Sequence, residues 1–187
     1  MSESPTEHFE HAEHAEHVAH SGDPFMSVVS VTIAVLAVIA ASVGSLETIE
    51  TAATNTTKNE AVLFQTKASD QWSFYQAKSL KGNLYQIAAA TTPAKAGEYG
   101  ELVKRYDEET KDILKEAREL EKKSEERLVE SERHEQRHHI LTIAVTFLHV
   151  SIAIATVAII TRGQRWPWYT ALLLGSIGLV TTARAYL

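Results

Sequence analysis

Five histidines recur at three-residue intervals near the N-terminus, His8, His11, His14, His17 and His20, interleaved with Glu7, Glu10, Glu13 and Glu16. Neutral imidazole at this density suits zinc, nickel or copper, and neighbouring carboxylates raise the affinity. Ser4-Pro5-Thr6-Glu7 has the form of a capping box with proline at the first helical position, and Ser21-Gly22-Asp23-Pro24 would stop the helix it starts. A step of three turns about 300° around a helix, so the imidazoles spiral and few of them could share one ion. The expected chemistry is weak Zn, Ni or Cu binding by a solvated tail, with no other cofactor implied. The same imidazoles gain protons near neutral pH, which would turn this acidic segment basic.

The remaining histidines stand elsewhere. His134 and His138 have the i, i+4 spacing that can share a metal, but with His139 they sit just before an apolar stretch, where an interfacial polar collar is the plainer reading. His149 is the ionisable residue well inside an apolar stretch, and such residues often mark a conduction path. No acidic or basic partner stands at depth in the other stretches. A hydrogen bond to Ser30 or Thr32 is therefore expected instead, and a transporter or channel subunit is a minor alternative. Nothing in the sequence pairs a nucleophile with a base, cradles a phosphate or encloses two carboxylates, so an enzyme is not expected.

Three apolar stretches must position these groups: Phe25 to Leu46, Ile140 to Ile160 and Trp166 to Leu187. Each is close to the roughly 20 residues a helix needs to cross ~30 Å of hydrocarbon. The overall mean hydropathy of −0.14 hides this segregation. The expected class is an all-α integral membrane protein with three transmembrane helices. Its segments are an acidic His-rich tail (1–24), spans over 25–46, 140–161 and 166–187, and an extramembrane helical hairpin over 47–139 with its turn near 91–97. With no Lys or Arg before Lys58 the chain lacks the basic start of a secretory signal, so the first span is expected to stay as an anchor. Cysteine is absent, which excludes disulfides and thiolate metal sites, and the net charge of −6 argues against a nucleic-acid partner.

From Glu47 to about Ala90 the composition favours helix, and Thr91-Thr92-Pro93-Ala94-Lys95-Ala96-Gly97 breaks it. The second arm places Val103, Tyr106, Thr110, Ile113, Ala117, Leu120, Ser124 and Leu128 at alternating steps of three and four, the seam of a coiled coil. Arms of nearly equal length predict an antiparallel pair, each arm running unbroken into its span. In that register Trp72 to Tyr75 lies opposite Lys111 to Leu114, and Leu84 lies opposite Leu102. Glu50 to Thr57 would face Leu128 to Glu135, where few large side chains meet. So thin a base predicts a homo-oligomer.

Trp72, Tyr75 and Gln76 share one helical face and Phe74 points away, so these four are candidates either for packing the arms or for docking a protein partner, Phe74 above all. Gly175, Gly178, Ser42, Gly44 and Ser45 could allow close helix approach. Arg162 and Arg165 flank the turn before Trp166-Pro167-Trp168-Tyr169, an interfacial aromatic anchor. The larger number of Lys and Arg on the hairpin side tips the expected orientation towards a cytoplasmic hairpin.

The string Lys67-Ala68-Ser69-Asp70-Gln71-Trp72-Ser73-Phe74-Tyr75-Gln76-Ala77-Lys78, continuing to Asn83-Leu84-Tyr85, resembles the family called domain of unknown function 4337. The Pro5-Thr6-Glu7-His8 opening, the early span, the Lys/Glu-rich arm and two closing spans agree with it. The resemblance implies a multi-pass protein of the bacterial cytoplasmic (inner) membrane and carries no activity or cofactor with it. The function expected is a membrane-anchored scaffold with the lipid bilayer, its own copies and an unidentified protein as partners; the alternative is a metal- or pH-responsive membrane protein using the tail.

Overall fold

The computed structural model describes residues 24–161 and 164–187, and every regular element among them is helical. Helix α1 spans Pro24–Thr91, a 3-10 turn covers Pro93–Lys95, α2 spans Ala96–Ile160 and α3 spans Arg165–Arg184. Pro24 opens α1 where a missing N–H costs nothing. Pro93 ends it, because the residue before a proline is pushed out of the helical region, and Thr92 is found at φ −128°, ψ 80°. Lys95 N–H then donates to Thr92 O at 3.0 Å and α2 begins at once, so Gly97 lies inside the helix rather than in the turn. The unbroken passage from arm into apolar stretch, expected at Leu46-Glu47 and His139-Ile140, is found in both helices.

Helices α1 and α2 each contain a segment long and apolar enough to cross a membrane; α3, of 20 residues, is not among them. The aromatic and proline residues at its start and Thr181-Thr182 near its end dilute its apolar run.

The chain divides into two compact units, one holding the described residues up to Ala53 together with Arg133–Leu187, the other Thr54–Glu132. In the first, α1 contributes Val29, Ile33, Leu36, Ala40 and Val43 to a core completed by Leu141, Ala144, Leu148, Ile152 and Ala155 of α2 and Ala171 of α3. Steps of three and four keep each set on one helical face. Two polar bonds tie α3 in: Ser151 Oγ donates to Ala171 O at 2.7 Å, and Trp168 Nε1 donates to Thr32 Oγ1 at 3.1 Å. A Cβ on Gly178 would stand 2.9 Å from Leu148 Cγ and 3.1 Å from Ala144 O, and one on Gly175 would stand 2.8 Å from Leu36 Cδ2, so both glycines permit close approach. Gly44 does not, since nothing lies within 4 Å of a Cβ there, and Ser42 and Ser45 bond back to their own helix.

In the second unit, α1 and α2 run antiparallel with small residues between them: Ala61 and Ala68 face Ser124 and Ala117, all buried, and Ser124 Oγ donates to Ala61 O at 2.9 Å. Contacts between Glu60 and Arg127, Lys78 and Glu109, and Gly82 and Tyr106 place the register within a residue or two of the one equal arms predict. Two details differ. Leu84 is 57% exposed and turns away from α2, although it stands level with Leu102. Leu128 is likewise exposed, because the row of α2 that faces α1 advances from Ser124 through the half-exposed Arg127 to Ser131.

Candidate functional site

The first unit encloses one carboxylate. Glu50 lies on α1 in the same 3-4 row as Val43, and its side chain is only 8% exposed. A buried carboxylate needs partners, and α2 brings them: His134 Nδ1 stands 2.6 Å from Oε2, and Arg137 stands 3.9 Å from Oε1. Tyr186, beyond the end of α3, donates its hydroxyl to Oε1 at 3.4 Å, and the Arg137 guanidinium lies 5.5 Å from the Tyr186 ring centre. Alongside, Thr142 Oγ1 donates to Glu47 Oε1 at 2.6 Å. His138 Nδ1 lies 3.0 Å from Thr51 Oγ1 and 3.8 Å from Glu47 Oε1.

Elements far apart in sequence thus meet in a polar cluster. His134 and His138 belong to it and His139 is exposed. The two imidazoles engage separate carboxylates, and among the described residues no group of three or more His, Asp or Glu side chains converges to hold an ion. What the cluster can do is hold the helices together through hydrogen bonds and charge. The sequence marks His134 and His138 as an interfacial collar and does not single out Glu50 by hydropathy; the signal for Glu50 is its place in the row Val43, Glu50, Thr54, Thr57 and Ala61, whose spacing marks a packed face.

His149 is half-buried on α2. Ser30, one expected partner, is buried with no hydrogen bond among the described residues, and Thr32 donates to Val28 O at 2.8 Å while accepting from Trp168. His8, His11, His14, His17, His20 and Arg162 lie outside the described residues. Arg165 is described and lies over Phe25, 5.5 Å from its ring centre.

The second unit holds the aromatic candidates. Trp72 and Tyr75 are half-buried and meet edge to face at 5.7 Å, and Trp72 Nε1 donates to Glu121 Oε1 at 2.7 Å. Phe74 is 48% exposed and Gln76 exposed, so the four do not form one surface. Lys78 organises this region: its ammonium donates to Glu109 Oε2 at 2.6 Å and lies 5.2 Å from the Phe74 ring and 5.3 Å from the Tyr106 ring. Together the Lys78 ammonium and the Arg105 guanidinium hold Glu109 below the usual carboxylate range. Tyr85 stacks on Tyr106 at 5.7 Å and meets Tyr99 at 5.9 Å. Packing accounts for every one of these rings except Phe74.

Two long helices packed antiparallel and joined by a tight turn, with a third lying alongside them in the first unit, define a helical-hairpin protein. Residues 25–187 match the family described as domain of unknown function 4337 (DUF4337), and the chain belongs to it. No curated protein and no solved structure matches the chain.

Proposed function

We propose that this chain is a multi-pass membrane protein whose three apolar stretches anchor a paired helical arm that serves as a scaffold for protein assembly. One observation carries the reading: α1 and α2 each hold an apolar segment and a charged arm in one unbroken helix, Pro24–Thr91 and Ala96–Ile160. Helices that are apolar over one part and charged over the rest suit a chain that passes from a bilayer into water. Polar side chains in the apolar segments are compatible with it, since Thr32, Ser42, Thr146 and Ser176 return their hydroxyls to carbonyls of their own helix, as Thr66 and Ser73 also do in the arm.

The test is fractionation followed by site-directed labelling. The chain should sediment with membranes and resist alkaline carbonate. A Thr92→Cys protein in intact cells should then either react with an impermeant maleimide or be protected until lysis, which reads the side on which the turn lies. Release by carbonate as a soluble protein would overturn the reading.

A second reading, a pH-responsive membrane protein, draws on the Glu50 cluster, where His134 and His138 face Glu47, Glu50, Arg137 and Tyr186. Histidine changes charge near neutral pH. Protease digestion patterns that differ between pH 5.5 and 7.5, and lose the difference in H134Q/H138Q, would support it.

A further inference from the structure

Within Thr54–Glu132 the outward faces of the two helices differ in chemistry. Every exposed position of α2 from Glu101 to Glu126 is charged. Along α1 from Asn59 to Thr91 the exposed charges are Lys67, Asp70 and Lys81, and these lie to one flank. Down the centre of that face, turned away from Tyr75, Lys78 and Gly82, run Val62, Thr66, Ser69, Ser73, Gln76, Leu80, Asn83 and Ile87, uncharged throughout and spaced by fours and threes. Val62, Leu80, Leu84 and Ile87 are 65%, 60%, 57% and 62% exposed.

We propose that this face is where two copies of the chain pair, α1 against α1, parallel and in register. Spacing by heptads fits a second helix as the occupant, since knobs at those intervals meet a helical partner along its whole length. In the parallel arrangement each position meets its own counterpart: Leu80 packs on Leu80 and Ile87 on Ile87 near the turn, hydroxyls of Thr66, Ser69 and Ser73 meet in the middle, and no charge meets its like in the seam. An antiparallel pair centred on Ser73 would instead set Ile87 against Asn59 and Leu80 against Thr66. The mixed-sign face of α2 stays solvated, because its charges would have to be dehydrated to pack.

This inference rests on the membrane reading, since anchors in one bilayer give both copies the same orientation. The seam from Val62 to Ile87 is about 38 Å long at helical rise and about 10 Å wide, so it covers roughly 380 Å² per chain. That is about half of the ~800 Å² per partner of a standard stable interface. Confinement in the bilayer supplies the missing affinity by raising the effective concentration of copies.

The chain has no cysteine, so single ones can be placed in the full-length protein in its native membranes. Ser73→Cys and Leu80→Cys, oxidised with copper phenanthroline, should give at least five-fold more adduct of twice the chain mass than Lys115→Cys or Glu116→Cys on α2. Adding Leu80→Glu to Ser73→Cys should reduce the adduct several-fold. Equal cross-linking at all four sites, no adduct at Ser73 or Leu80, or an adduct of any other mass overturns the pairing. Carbonate extraction of the same membranes reads the anchoring separately: a chain that stays bound without seam adducts overturns this inference alone, and one that washes off overturns the anchoring.

Discussion

Glu50 and His134 meet at 2.6 Å across the α1–α2 interface, with Glu50 buried and His134 about a quarter exposed. They come from opposite arms of the chain, yet the pair sits in the middle of the 3-4 row that each helix presents to the other. A carboxylate at such a position requires partners, and Arg137, His134 and the Tyr186 hydroxyl supply them, which ties α1, α2 and the residues just after α3 to one side chain.

Removing one partner of a buried pair is far more disruptive than removing both, because the survivor keeps its desolvation cost. In Glu50→Ala the survivors, His134 and Arg137, are 23% and 43% exposed and can be hydrated, so the loss should be about 1.5–3 kcal/mol, the worth of hydrogen bonds to a charged group. Glu47→Ala, at a side chain 25% exposed, should cost about 1 kcal/mol, the worth of an ordinary hydrogen bond. Unfolding in detergent followed by helical circular dichroism compares them, and equal midpoints for the two variants would contradict the packing role of Glu50.

Gly178 and Gly44 supply a contrast in the apolar segments. An added methyl at Gly178 meets Leu148 Cγ at 2.9 Å and the Ala144 carbonyl at 3.1 Å, and the carbonyl cannot move aside. Gly178→Ala should cost about 1–3 kcal/mol through overpacking. Gly44→Ala finds open space and should be neutral or stabilise by up to about 1 kcal/mol through helix propensity. The same detergent unfolding measurement reads both.

Ala68 and Ala117 are fully buried at positions the register sets opposite each other. Their small size lets the two helices approach closely, so Ala117→Leu should force them apart and cost about 1–3 kcal/mol. Ala90→Leu, on an exposed position of α1, should change stability by less than about 0.5 kcal/mol. Comparable losses in the two variants would mean that the arms are not packed through this row.

Helix extents, the turn and the antiparallel register were legible in the sequence because they depend on local signals: Pro24 and Pro93 as punctuation, apolar runs, and equal arm lengths. The outward turn of Leu84 was not, because register fixes which residues stand level and not which way each points; the phase of α1 places Leu84 with Leu80 and Ile87 on the far face. Glu50 was passed over for a related reason. Its neighbours Thr54, Thr57 and Ala61 are small and partly polar, so their periodicity carries little hydropathy contrast even though they form a buried row. The role of Gly44 was misjudged because a glycine in a span signals close approach only where a neighbouring helix is present, and that is a tertiary fact.

Glu109 accepts from Lys78 and Arg105, which lower its affinity for a proton in the folded chain. A folded carboxylate held below its unfolded range, near about 4.3, adds stability that is fully present above that range. It is lost as pH falls through the folded value, since the unfolded state then binds the proton more readily. The unfolding midpoint of the full chain should therefore decline as pH drops below about 5. Glu109→Gln should unfold earlier than the parent at pH 7 and approach it towards pH 3, because the parent alone still has the interaction to lose. Parallel pH profiles for the two proteins would show that the Lys78–Glu109 contact between the arms and the Arg105–Glu109 contact within α2 contribute nothing to stability.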